Sequence, residues 1–457
     1  MVEVLSRVIN HLLKDIASLT RYHPDTSSRL CFLLGAREAI KLMLAVKEAS
    51  GKMYLIPNVP SKEKNIKMVI SKILKDFQKQ GYSVTSNEEL NNTIMIEVRD
   101  RKLDHHQVHG NVENVANKYI LDEIKHKGYP QVILSRHASI EASMGANIVS
   151  GDISNIPPLN SGDEVILMDK YYDIVGHGVA DMTSEEIKRS PGRIAIRTLE
   201  GRYDVPKFHD HRHYRNGLYS VSTLQRILGV QIQQFDKEAV NILVICQDDG
   251  EVAVALLNNA PAGSKVFIVT RNENHRKAIR SNLERLEVST ENVILLTDTL
   301  DRFTKSRPPE RFKHFYLELP STESGKRPNP YFDGEEKNII SNARGQFSAL
   351  RSIALVGENE AQISYITHSI DPTENEEVVV QAFRQGNYSP VEIQQFLPIE
   401  YTNDIHALPE IPTVTQAGSI DLIKMNQEEE YKMSWINMDP LKYSSDAGFV
   451  AKLLLNI

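Results

Sequence analysis

Two polar turns, each entered from an apolar run, carry the residues best suited to chemistry. The run F-K-H-F-Y-L-E-L reaches Glu318 and opens into Pro320-Ser321-Thr322. The run Q-I-S-Y-I reaches Thr367-His368-Ser369 and leads through Asp371 to Glu374-Asn375-Glu376, an acidic opening to the apolar helix that begins at Val378. Strands ending in such turns place their last side chains in the crevice above an open α/β sheet, where this architecture binds ligands. On neighbouring turns, Ser321 could serve as a nucleophile with His368 as its base, although the sequence identifies no acid to orient the imidazole.

The other chemistry-bearing residues point to nucleic acid. Arg202, Lys207, Arg212, Arg215 and Arg226 fall in one short segment, interleaved with His209, His211, His213, Tyr203, Tyr214 and Tyr219 and opposed by Asp204 and Asp210. Cations mixed with aromatic rings suit a phosphate backbone beside an unstacked base. On a strand the three alternating histidines would share one face, so a metal site is the competing expectation; none is assigned. The two cysteines, Cys31 and Cys246, lack metal-ligand spacing, which excludes both a disulfide framework and a cysteine-built zinc site. The net charge of −7 confines nucleic-acid binding to local basic patches. No apolar run approaches a membrane span, and the charged, amphipathic start reads as that of an intracellular, cytoplasmic protein.

The two turns resemble the active-site loops of the Sun-type RNA (cytosine-5) methyltransferases, whose patterns read D-A-P-C-S-G and Y-S-T-C-S followed by E-N-E. Pro320, Thr367 and Glu374-Asn375-Glu376 match. Ser321 and His368 stand at the two cysteine positions, and Glu318 stands at the aspartate. In that family a thiolate adds to carbon 6 of the base, carbon 5 takes the methyl group, and a second cysteine assists release. A cysteine of pKa ~8.5 can supply the thiolate near neutral pH, whereas a serine hydroxyl needs a strong base beside it. The resemblance also implies a site for S-adenosylmethionine. Its first-strand pattern, D-L-C-A-A-P-G-G-K-T, is here V-I-C-Q-D-D-G-E-V, which leaves Asp248 and Gly250 as candidates. Thr270 and Arg271 replace the acid that ends the second strand, while Asp298 matches the acid near the adenine. Asn329-Pro330-Tyr331 looks a little like the turn of amine methylases but reads as an ordinary turn.

Stepping along the chain, helical spacing through Val46 is followed by a β-α-β pattern from Met53 to Val98 and by a polar segment that leads to a helix ending near Gly128. Residues 130–205 are strand-rich with turns at short intervals and resemble a PUA domain, an RNA-binding barrel. The resemblance puts its RNA groove beside Gly145 and Ala146, with Arg136, His137 and Asn147 nearby. From Ala239 strands and helices alternate, which specifies a mostly parallel sheet, and the ending S-S-D-A-G-F-V-A-K-L-L-L resembles the family's closing strand.

The expected fold class is therefore α/β. A Rossmann-like methyltransferase domain (206–457) follows a small β-barrel (130–205) and an N-terminal α+β region (1–128). The expected function is binding of tRNA or rRNA by a catalytically inactive or altered relative of these enzymes, acting with an RNA-modifying enzyme. The alternatives are an active S-adenosylmethionine-dependent RNA methyltransferase using a non-cysteine route and a protein-interaction platform built on the acidic first-strand turn.

Overall fold

The computed structural model describes residues 2–60, 63, 65–100, 128–289, 291–398, 412–414, 420–422 and 434–457. The helix expected to end near Gly128 lies outside the described residues. Among those described, no helix is long and apolar enough to cross a membrane.

The helical spacing at the start of the chain folds as three helices, Val2–Thr20, Pro24–Leu34 and Ala36–Lys47. Pro24 sits in a first turn, where its missing N–H costs nothing. Gly35 makes the corner between the second and third helices at φ +80, a conformation that favours glycine. The layer buries Leu30, Met43 and Val46 against Phe332, Ile370 and Ala447, so it packs directly over the two polar turns. Each such side chain contributes roughly 1.5–3 kcal/mol of burial free energy before entropy is counted.

The β-α-β pattern becomes an antiparallel sheet in the order Tyr219–Ser222, Lys52–Pro57, Thr93–Glu97, Val84–Asn87. Helix Ile66–Lys79 covers it with Val69, Ile73 and Phe77. Tyr219–Ser222, expected to open the C-terminal unit, instead forms an edge strand of this N-terminal sheet. Tyr203–Asp204 likewise pairs back with Arg99–Asp100. The strand-rich unit between them is thus inserted into the N-terminal region.

That inserted unit is a six-stranded sheet around its own core of Val132, Leu134, Val165, Leu167 and Ile196. Gly178 and Gly201 are required by close packing, since a Cβ would come within 2.7 Å of Arg197 O at the first and 2.5 Å of Ser143 O at the second.

The C-terminal unit is an open sheet in the order Val293–Thr297, Lys265–Thr270, Asn241–Ile245, Phe312–Glu318, Gly357–Thr367, Gly448–Leu455, Tyr388–Pro390, with Trp435–Met438 also paired to Gly448–Leu455. The first five strands are parallel, and Gly448–Leu455 runs antiparallel to Gly357–Thr367. Apolar side chains fill both faces, as a buried parallel sheet requires. Its C-terminal edge aligns the ends of Asn241–Ile245, Phe312–Glu318 and Gly357–Thr367, and there the candidate residues gather.

Candidate functional site

The register Glu318↔Ile366 brings the two polar turns side by side. Glu318 is fully buried. Its Oε1 accepts from Arg226 Nε at 2.9 Å and from His368 Nε2 at 2.9 Å, and its Oε2 accepts from the Gln247 amide at 3.1 Å. Burial opposes its charge, but the Arg226 guanidinium and the His368 bond outweigh burial and hold its pKa well below the carboxylate range.

This geometry does not form the serine–histidine pair that the two turns could have carried. His368 gives Nε2 to Glu318, and its Nδ1 is buried without a partner. Ser321 is only partly buried, and its Oγ accepts from the Glu323 amide at 3.4 Å. The orienting acid that the sequence did not identify is Glu318, but it orients the imidazole without a bond from His368 to Ser321. Cys246 is buried, which pushes its thiol well above the usual range and leaves it protonated.

Glu374-Asn375-Glu376 acts as a clamp. Glu374 accepts from the Thr322 amide at 2.9 Å and from Asn342 at 3.0 Å. Asn375 accepts from the Thr367 hydroxyl and donates to Ser369 O at 2.9 Å, while Glu376 accepts from Asn437 at 2.7 Å. The run therefore ties both turns to the C-terminal hairpin, a role that needs no cysteine on either turn.

The first-strand turn is similarly occupied by the chain itself. Asp248 accepts from the amides of Gly250 at 2.9 Å and Val252 at 3.2 Å, capping helix Glu251–Asn259. Gly250 has φ +88, and a Cβ there would lie 2.9 Å from Ile279 Cγ2. His275 donates from Nε2 to Asp248 O at 2.7 Å, which leaves Nδ1 to accept from the Thr270 hydroxyl at 3.0 Å. Glu251 faces Asn282 at 3.0 Å, and burial together with the Asp248 charge pushes its pKa up to about 8. Asp298 is half-buried and accepts from the Thr299 amide at 2.8 Å. These residues do not fit S-adenosylmethionine. The helix amides suited to its carboxylate already hold Asp248, and the second-strand end suited to its ribose holds a threonine–histidine bond.

The expected RNA-facing residues divide into two sets. Arg136, His137, Gly145, Ala146 and Asn147 line a cleft of about 840 Å³ together with Lys52, Lys207, His209 and the residues Glu323, Lys326, Arg327 and Pro328. Within it His137, Lys207 and His209 are exposed, and the partly exposed Met144 adds apolar surface. Arg136 also braces the molecule, donating to Asn329 Oδ1 at 2.9 Å and lying over the Phe332 ring. Asn329 is itself fully buried, in keeping with a structural turn.

Arg212 and Arg215 are exposed beside the cleft. Arg212 pairs with Asp76 at 2.7 Å, and Arg215 donates to Asp210 O at 2.6 Å. The alternating histidines do not share a strand face. They span a 3₁₀ turn, Phe208–Asp210, and a short helix, Arg212–Arg215. His209 packs on Tyr214, His211 stacks on Phe77, and His213 reaches Asp76 at 2.8 Å. Among the described residues no group of three or more His, Cys, Asp or Glu is placed to hold a metal.

Arg226, which falls in the basic segment of the sequence, is largely buried and bonded to Glu318. The available signal was its helix, Leu224–Gln231, in which Leu224, Ile227, Leu228 and Val230 leave little room for a solvated face.

No protein-family model matches the chain. It is similar to a tRNA (cytosine(72)-C(5))-methyltransferase of Pyrococcus horikoshii, 19% identical over 346 residues, which covers 67% of this chain and 85% of that protein. Its structure is similar to that of NSun6 from Pyrococcus horikoshii with SFG, with a TM-score of 0.69 and 16% identity over 96% of this chain and 99% of that one. A methyltransferase homolog protein of the same organism gives a TM-score of 0.53 at 15% identity over 97% and 98% of the two chains. The sheet order and these likenesses together show an α/β, Rossmann-like methyltransferase fold carrying a small β unit and an N-terminal α+β region.

Proposed function

We propose that this chain binds structured RNA, tRNA or rRNA, in the cleft between its three units. On this reading it positions RNA for a modifying enzyme and does not itself carry out cysteine-dependent methylation. The observation that carries the proposal is the cleft: a space of about 840 Å³ lined by Lys52, Lys207, His137 and His209 with the partly exposed Met144, alongside the carboxylates Glu141, Asp210 and Glu323. The exposed lysine and imidazoles suit phosphate oxygens. The named activity of the archaeal relative, a tRNA methyltransferase, supports RNA as the ligand class. The positions of the two family cysteines carry Ser321 and His368, and the latter is committed to Glu318.

A second reading is an active, donor-dependent RNA methyltransferase that works without cysteine. The feature that favours it is the Glu318–His368 pair, in which an ionised carboxylate orients an imidazole whose Nδ1 is free.

An electrophoretic mobility shift with total tRNA and rRNA at low salt tests the main reading. The wild-type chain retards RNA, and Lys207→Glu weakens that retardation several-fold. Failure of the wild-type chain to shift either RNA overturns the proposal.

A further inference from the structure

Arg226 has no part in the RNA reading, yet it joins the two ends of the candidate site. From helix Leu224–Gln231 it reaches Glu318 Oε1 at 2.8 Å on the fourth-strand turn and lies 3.9 Å from Asp248 Oδ2 on the first-strand turn. We propose that Arg226 is a built-in cation that bridges these two turns, and that the bridge excludes the sulfonium methyl donor from the crevice where this fold would hold it.

The argument is one of charge and occupancy. S-adenosylmethionine presents a carboxylate beside an ammonium and a sulfonium, so a receptive crevice offers free helix amides to the first and unpaired acids to the others. Here neither is free. The amides at the start of helix Glu251–Asn259 hold Asp248, and the acids that face the crevice hold Arg226.

Hydrogen bonds link Thr270 through His275 to the Asp248 backbone and Arg226 through Glu318 to His368, and an ion pair of 3.9 Å between Arg226 and Asp248 connects the two sets. A second cation entering this network would meet Arg226 at close range. Displacing Arg226 would strand Glu318, which is fully buried, without its counter-charge. Arg226 is thus a positioning residue that replaces a ligand with a side chain. The inference is independent of the RNA reading and survives or fails apart from it.

Calorimetric titration of the full chain with S-adenosylmethionine and with S-adenosylhomocysteine, which lacks the sulfonium charge, tests it together with thermal melting. The wild-type chain gives no saturable heat with either compound at low millimolar concentration and no rise in Tm. Arg226→Met lowers Tm by roughly 5–10 °C, because two buried carboxylates lose their partner. Arg226→Lys keeps the charge but not the fork and melts between the other two; if the methionine variant is insoluble, recovery of soluble chain by lysine carries the same meaning. Micromolar binding of S-adenosylmethionine by the wild-type chain, or melting of the lysine and methionine variants at the same temperature, overturns the proposal.

Discussion

Glu376 and His314 show how much the surroundings of a single group decide. The Glu376 carboxyl is buried, which pushes its pKa from 4.5 up to about 7, and its Oε1 accepts from Asn437 at 2.7 Å. Between those values the folded chain holds a proton that the unfolded chain has lost. Its contribution is therefore complete below pH 4.5 and falls as pH rises through 7. Glu376→Gln keeps an acceptor for Asn437 without the charge, so urea unfolding should show it matching wild type below pH 4.5 and more stable by about 3 kcal/mol at pH 8. His314 works the other way. Burial lowers its pKa from 6.5 to about 4, so across that window the unfolded chain binds the extra proton and stability rises with pH. His314→Gln should flatten this acid limb by about 3 kcal/mol. Residue identities were legible in the sequence, but their partners were not. Glu318 and His368 sit on turns that pattern alone could align, whereas the Arg226 bond joins residues 92 positions apart.

At the scale of elements, apolar runs such as V-I-L-L-T and N-I-L-V-I gave strands where the pattern placed them, because a buried parallel sheet needs apolar side chains on both faces. The shared face that a strand would have given the three histidines is absent for a local reason. Those histidines serve turns, with His211 capping the short helix that follows by accepting from the His213 amide. Glu374-Asn375-Glu376 was legible as a motif while its work was not. It holds the two turns in place through bonds that involve no cysteine. Asn375→Ala should remove two buried bonds, to the Thr367 hydroxyl and Ser369 O, and destabilise the chain by about 2–4 kcal/mol in urea unfolding, with RNA affinity per folded molecule little changed.

The whole molecule is organised around the cleft where its units meet, and this was the part least visible in sequence. Tyr219–Ser222 crosses the inserted β unit to complete the N-terminal sheet, a pairing with Lys52–Pro57 that no local pattern announces. The inserted unit is then braced by Arg136 on Asn329 and by Arg21 against Asp169 and Asp173. Arg136→Ala should loosen that brace, raising protease sensitivity near residues 128–130 and lowering RNA affinity roughly ten-fold, more than the loss of one phosphate contact alone would predict.

The central claim is that this methyltransferase fold holds RNA by itself, with no donor and no cysteine on its two polar turns. Filter binding of labelled tRNA to the purified chain, with and without S-adenosylmethionine, tests it most directly. The account predicts saturable binding with the same affinity in both series. No binding in either series, or binding that appears only when the donor is present, would contradict it.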